Sequence, residues 1–125
     1  MEFVGGVPQR TIPEWLDRSD LFLNTTDVDN TPLRVLPPMA AGLPVVSPCV
    51  AGLPHLLDDG VDALLVAPGA ARALAAAMGR ILKEPGLAQR LATAGRRKVE
   101  GMSWAAMVPR WESLLRAVAR GDSWV

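Results

Sequence analysis

The chain has little that would tie it to redox, metal or membrane chemistry. Its single cysteine, Cys49, excludes an internal disulfide and any cysteine-rich metal site, and a reducing, cytoplasmic setting is the simplest expectation. Nothing beside it marks it as a nucleophile, so it reads as a small buried or half-buried thiol. The single histidine, His55, has no second histidine near it, so no metal site is expected and it reads as a solvated or hydrogen-bonded loop residue. Thirteen basic residues offset thirteen acidic ones, so net charge offers no global attraction to nucleic acid or an anionic membrane. No apolar run approaches the roughly 20 residues of a membrane span. Residues 1–10 lack the basic start and apolar core of a secretory signal.

What is present is a globular composition. Half of the 125 residues are hydrophobic and 21% are charged, enough for one domain with one core. The apolar pattern alternates between short runs and helical stripes. Residues 2–5, Asp20–Asn24, Leu43–Ser47 and Ala63–Val66 read as strands, each apolar enough to be buried on both faces. Thr11-Ile12-Pro13-Glu14 has the pattern of a capping box opening a short helix. Pro32 suits the first position of a helix that stops at Gly42. Asp58-Asp59-Gly60 is a turn signal. Three C-terminal helices follow, over 70–83, 86–100 and 103–120. The first carries a stripe of Leu74, Ala77, Met78, Ile81 and Leu82. Ser103 caps the third, and its Trp104, Met107, Val108, Trp111, Leu115 and Val118 share one side, against the core or a missing partner domain. The expected architecture is α/β, a Rossmann-like parallel sheet of about four strands with helices on both faces.

Eleven prolines are a high count, and two of them, Pro37 and Pro38, fall inside the 32–41 helix. An interior proline costs about 3 kcal/mol through a lost hydrogen bond and a clash with the preceding turn. The helix is therefore expected to kink or to restart at Pro37. Pro109 poses a milder version of the same problem.

Open parallel sheets bind ligands beyond the carboxyl ends of their strands. Two segments belong there, 24–33 and 47–56. The first sets Asp29, Asn30 and Thr31 before a helix, whose free amides and partial positive charge would suit a diphosphate. The second carries Ala51-Gly52, where a missing side chain lets a ligand approach the backbone. Each has a plainer reading beside the functional one. Asp29, Asn30 and Thr31 are good capping residues, and Gly52 suits a turn.

The ordered set of pieces resembles the C-terminal half of the family 4 retaining glycosyltransferases (glycosyl transferases group 1). The likeness runs through Phe3-Val4-Gly5, Leu21-Phe22-Leu23, Asp29-Asn30-Thr31-Pro32-Leu33 and Met39-Ala40-Ala41-Gly42-Leu43-Pro44-Val45-Val46. It continues through Gly52-Leu53-Pro54, Asp59-Gly60, Leu64-Leu65-Val66-Ala67-Pro68 and Ser103-Trp104. The resemblance implies a single Rossmann-like domain over 1–125, equivalent to the C-terminal part of a two-domain enzyme. It implies transfer of a sugar from a nucleotide-diphosphate sugar to an acceptor, with no cofactor and no metal. In that family two carboxylates stand eight positions apart, one near the reacting face of the sugar and one on the ribose hydroxyls. The resemblance puts Asp29 at the first, as the catalytic position, and Pro37 at the second. It also implies donor contacts at Asn30, Thr31, Leu33, Gly52 and Leu53. Pro37 has no side-chain acceptor, Ala51 replaces the first glycine of a usual pair, and His55 stands where an acidic residue is common.

Two function classes therefore stay open at the level of sequence: a glycosyltransferase donor-binding domain, and a non-catalytic Rossmann-like remnant serving as a binding or assembly module. The expected partners are a nucleotide sugar together with a missing N-terminal acceptor domain or a second copy, with no nucleic acid. Arg96-Arg97-Lys98 reads as a solvated helix face, with an acidic lipid surface as the alternative.

Overall fold

The computed structural model describes residues 2–28 and 33–122. Three strands form one parallel sheet in the order β1-β2-β3: β1 is Phe22–Leu23, β2 is Val45–Pro48 and β3 is Leu64–Val66. Phe22 pairs with Val45 and Leu23 with Val46; Val46 in turn pairs with Leu64, Ser47 with Leu65 and Pro48 with Val66. The α/β class and the parallel sheet are as expected, but the strand count is three among the described residues. Residues 2–5 form no strand, and Phe3 is 87% exposed. An apolar run becomes a strand only when a neighbour takes its backbone hydrogen bonds, and among the described residues none pairs with 2–5.

Among the described residues there are six helices: α1 (Ile12–Asp17), α2 (Leu36–Ala40), α3 (Leu53–Leu56), α4 (Ala71–Lys83), α5 (Pro85–Glu100) and α6 (Trp104–Ala119). The last three lie within a residue or two of the expected spans. Alternate residues of β2 feed opposite faces. Val45 joins Val35, Met39, Val50, Leu53, Leu57 and Ala63 on the α2 side. Val46 joins Leu64, Ala77, Ile81, Leu87 and Leu91 on the α4 side. Burying a leucine or valine side chain contributes roughly 1.5–3 kcal/mol, so these two clusters are the main source of stability. On α4, Leu74, Ala77, Met78 and Ile81 turn inward as the stripe implies, whereas Leu82 is exposed. Helix α5 packs on both α2 and α4. Gly95 allows this approach, because a Cβ there would lie 3.2 Å from Met39 Cε and 3.4 Å from the Asp62 carbonyl oxygen.

Two local expectations resolve differently. The proline pair is accommodated by restarting the helix: a 3-10 turn over Leu33–Val35 ends, and α2 begins at Leu36. Pro37 and Pro38 then occupy first-turn positions, whose amides have no helical partner in any case. The far end closes on Gly42 at φ +79, with Leu43 N–H donating to the Pro38 carbonyl at 2.9 Å and Gly42 N–H to that of Met39 at 3.0 Å. Thr11, by contrast, does not cap α1. It is the last residue of a 3-10 turn over Gln9–Thr11, its backbone is already helical, and its hydroxyl donates back to the Pro8 carbonyl at 2.8 Å. Ser103 does cap α6, accepting from the Ala106 amide at 3.4 Å, and Pro109 is carried inside that helix.

Candidate functional site

Strands β1 and β2 are parallel neighbours, so the segments that leave their carboxyl ends start from the same rim of the sheet. A buried polar link joins them there. Asn24 follows β1, and its Nδ2 donates to Ser47 Oγ on β2 at 2.9 Å. Ser47 Oγ donates onward to the Pro48 carbonyl at 3.1 Å, and Asn24 Oδ1 accepts from the Thr26 amide at 3.3 Å. Asn24 and Ser47 are both buried. A buried amide with satisfied partners is a rigid element, because breaking it strands polar atoms away from water. It fixes the start of the segment that leaves β1 against β2.

The second segment runs from Cys49, which is exposed rather than buried or half-buried as expected, to Leu57. Cys49 N–H donates to the Val66 carbonyl at 2.7 Å, which holds the start of the segment against β3. Ala51 has φ +47, a left-handed conformation that glycine adopts freely and alanine does not. Gly52 has an ordinary helical backbone, φ −77 and ψ −9, and precedes the single turn of α3. The conformational demand at this pair thus falls on Ala51.

The sequence-derived residues divide into three groups. Asp29, Asn30 and Thr31 lie outside the described residues. Gly52 lies at the rim, partly exposed. The other three are placed as follows. Leu53 is wholly buried in the core, so its side chain holds α3 down and is not available to a ligand. Leu33 sits in the 3-10 turn with its side chain exposed. Pro37 lines a groove of about 530 Å³ with Gln9, Ile12, Leu16 and Ala40, on the flank where α2 faces α1. The helix start expected at Pro32 lies outside the described residues; α2 itself begins at Leu36, and two of its first-turn positions, Pro37 and Pro38, carry no N–H.

Sequence reasoning missed a second polar cluster. Lys98 is not part of a solvated face: its side chain is 24% exposed, and that of Asp62 is 1% exposed. Lys98 Nζ donates to the Leu56 carbonyl at 2.9 Å and to Asp58 Oδ2 at 2.7 Å, and it is ion-paired with Asp62 Oδ2. The other Asp62 oxygen accepts from the Asp58 amide at 2.8 Å. Burial lowers the Lys98 pKa, but hydrogen bonds to Asp58 and Asp62 and their charges outweigh it, so the ammonium is held above the ordinary lysine value. The signal was available in the periodicity. Leu87, Leu91, Gly95 and Lys98 fall on one stripe of α5, so a lysine there faces inward. For Asn24 the signal was an amide ending an otherwise apolar run.

A family model described as "Glycosyl transferases group 1" matches residues 1–84. The chain belongs to this family. It is 35% identical over 106 residues to the amylovoran biosynthesis glycosyltransferase AmsK of Erwinia amylovora, a match that covers 80% of this chain and 26% of that one. Among solved structures it superposes on sucrose-phosphate synthase from Thermosynechococcus elongatus with a TM-score of 0.82 and 28% identity, covering 97% of this chain and 31% of that chain. It also superposes on Anabaena HepE in complex with UDP-glucose, with a TM-score of 0.73 over 87% of this chain and 30% of that one; at 19% identity this shows the fold. The chain thus spans between about a quarter and a third of the length of these proteins. Among the described residues, no helix is long and apolar enough to cross a membrane.

Proposed function

We propose that this glycosyltransferase segment holds the donor: it binds a nucleotide-diphosphate sugar at the rim formed by the segments after β1 and β2, for transfer of the sugar to an acceptor. The observation that carries the reading is the Asn24–Ser47 link, which ties those two segments together at the carboxyl ends of parallel strands, where open sheets seat their ligands. HepE, a structural neighbour, is described in complex with UDP-glucose, and this supports a nucleotide sugar as the ligand class.

In this reading Asp29 is the carboxylate at the transferred sugar, with Asn30, Thr31 and Leu33 beside it and the backbone of Gly52 and Leu53 approaching from the facing segment. Catalysis would be electrostatic, with backbone donors steadying the leaving diphosphate and no metal or organic cofactor required of this segment. Pro37 offers no acceptor to a ribose hydroxyl, so nucleotide binding rests on the phosphate and sugar contacts. Acceptor binding belongs to the part of the enzyme that the relatives have beyond this segment, or to a second copy. The uncovered apolar side of α6, with Trp104 and Trp111 outward, supports such a partner.

Calorimetry on the chain with UDP, GDP, ADP and their glucose conjugates tests the reading. One nucleotide series is expected to bind in the micromolar to millimolar range, with Asp29→Ala weakening the sugar conjugate more than the bare diphosphate. Pro37→Glu is expected to tighten binding across that series by restoring a ribose acceptor. Absence of binding by all of them at millimolar concentration, in the parent and in Pro37→Glu, removes the proposal and favours an assembly module.

A further inference from the structure

We infer that Lys98, on α5, is a positioning residue for the donor rim. It fixes the far end of the 49–57 strap and so sets where Gly52 stands. The inference rests on the donor-binding reading above. The strap is anchored at two points. At its start, Cys49 N–H is bound to the Val66 carbonyl; at its end, the Leu56 carbonyl is bound to Lys98 Nζ. Between them lies α3, four residues long, far too short to hold its own shape as an isolated helix. Its geometry is therefore set by its anchors and by the buried Leu53 and Leu57.

The Lys98 anchor is a designed-looking expense in a small core. The carboxylate of Asp62 is taken out of water and the ammonium of Lys98 partly so, and replacing such a pair by apolar side chains of similar volume is often neutral or stabilising. What an apolar pair cannot do is bind three directed partners at once. Nζ meets the end of α3 at Leu56, the start of the following turn at Asp58 and the base of that turn at Asp62. The cluster closes on itself, because Asp62 also accepts from the Asp58 amide and its own amide donates to the Asp58 carbonyl at 3.1 Å. The cation also lies at the carbonyl end of α3, where the helix dipole favours it. Lys98 is thus a single rigid peg from α5 into the strap. The rest of the basic run has no such role: Arg96 pairs with Glu100 on the same exposed helix face.

The test compares the parent chain with Lys98→Met and Lys98→Arg. Two readouts are taken: amide hydrogen exchange along the strap, and the Kd of whichever nucleoside diphosphate the parent binds. Lys98→Met is expected to speed exchange at the Leu57 amide, which donates to the Leu53 carbonyl, while the Val46 amide in the central strand stays protected. Nucleotide affinity is expected to fall about tenfold, and Lys98→Arg, which keeps charge and donors, is expected to recover most of it. Lys98→Gln serves in place of Lys98→Met should the latter not fold. A parent that binds nucleotide and a folded Lys98→Met or Lys98→Gln variant that binds it equally well overturn this inference alone. A parent that binds no nucleotide overturns the donor reading, and this inference with it.

Discussion

Helices α5 and α6 are each 16 residues long, follow one another in the chain, and carry clear apolar stripes, yet they end in opposite situations. Helix α5 buries Leu87, Leu91, Ala92 and Gly95 and sends Lys98 into a polar pocket between two elements. Helix α6 buries no residue, and leaves Trp104, Trp111, Leu115 and Val118 outward, with Trp104 82% exposed. The stripe on each helix states that a face wants cover. It does not state whether the cover lies in the same chain. For α5 the cover is the sheet and α2; for α6 nothing among the described residues supplies it. The sequence reading allowed both outcomes for the α6 stripe, and the structure removes the core-packing one.

Substitutions on the two helices sharpen this contrast. The largest effect is expected on α5: Leu91→Ala removes a fully buried side chain between β2, α4 and α5, and should lower unfolding free energy by about 3 kcal/mol in urea denaturation. Asp62→Ala comes next, at about 2–3 kcal/mol, because it leaves the partly buried ammonium of Lys98 with only its exposed partner Asp58 and the Leu56 carbonyl. The same pair predicts a pH dependence. The Lys98 pKa is raised in the folded chain, so its contribution is fully present below the ordinary lysine value of 10.5 and is lost as pH rises through the folded value. Lys98→Met should therefore flatten the alkaline limb of a stability–pH curve. If the parent and variant curves run parallel above that value, the ammonium does not contribute as described.

A gain is expected at the rim. Ala51→Gly relieves a left-handed alanine and should stabilise the chain by about 1 kcal/mol, read as a higher melting temperature. A loss there would mean that the Ala51 methyl makes contacts worth more than the strain. The smallest effects belong to α6. Trp111→Ser and Leu115→Ser should each change stability by less than about 0.5 kcal/mol, since neither side chain is packed within the chain. A loss of 2 kcal/mol or more at either would show that α6 is covered in solution, and the light-scattering mass of the parent would then tell a second copy from an intramolecular cover.

Much of the fold was legible because its signals are local. Ser103 marks a helix start, Gly42 marks a stop, and Pro37-Pro38 dictate a restart that the structure makes at Leu36. The missing fourth strand and the failed Thr11 cap share one cause: each needed a condition set outside its own segment. Residues 2–5 needed a partner strand, and Thr11 needed an extended backbone where the chain forms a 3-10 turn instead. The site was less legible for the same reason. Asp29 and Pro37 could be named from resemblance, but Leu53 proved to be core, and the polar groups that tie separate elements together, Asn24 with Ser47 and Lys98 with Asp58 and Asp62, join residues 23, 40 and 36 positions apart in sequence. Spacing along one element says nothing about such pairs until the elements are packed.

The central claim is that the segments after β1 and β2 form one seat for a nucleoside diphosphate. An NMR titration of the parent chain with the tightest-binding nucleotide tests it most directly. Amides of 24–28 and of 49–53 should shift together and saturate with one Kd. Shifts confined to one of the two segments, or appearing instead along the exposed face of α5 at Gln89, Thr93 and Arg97, would contradict it.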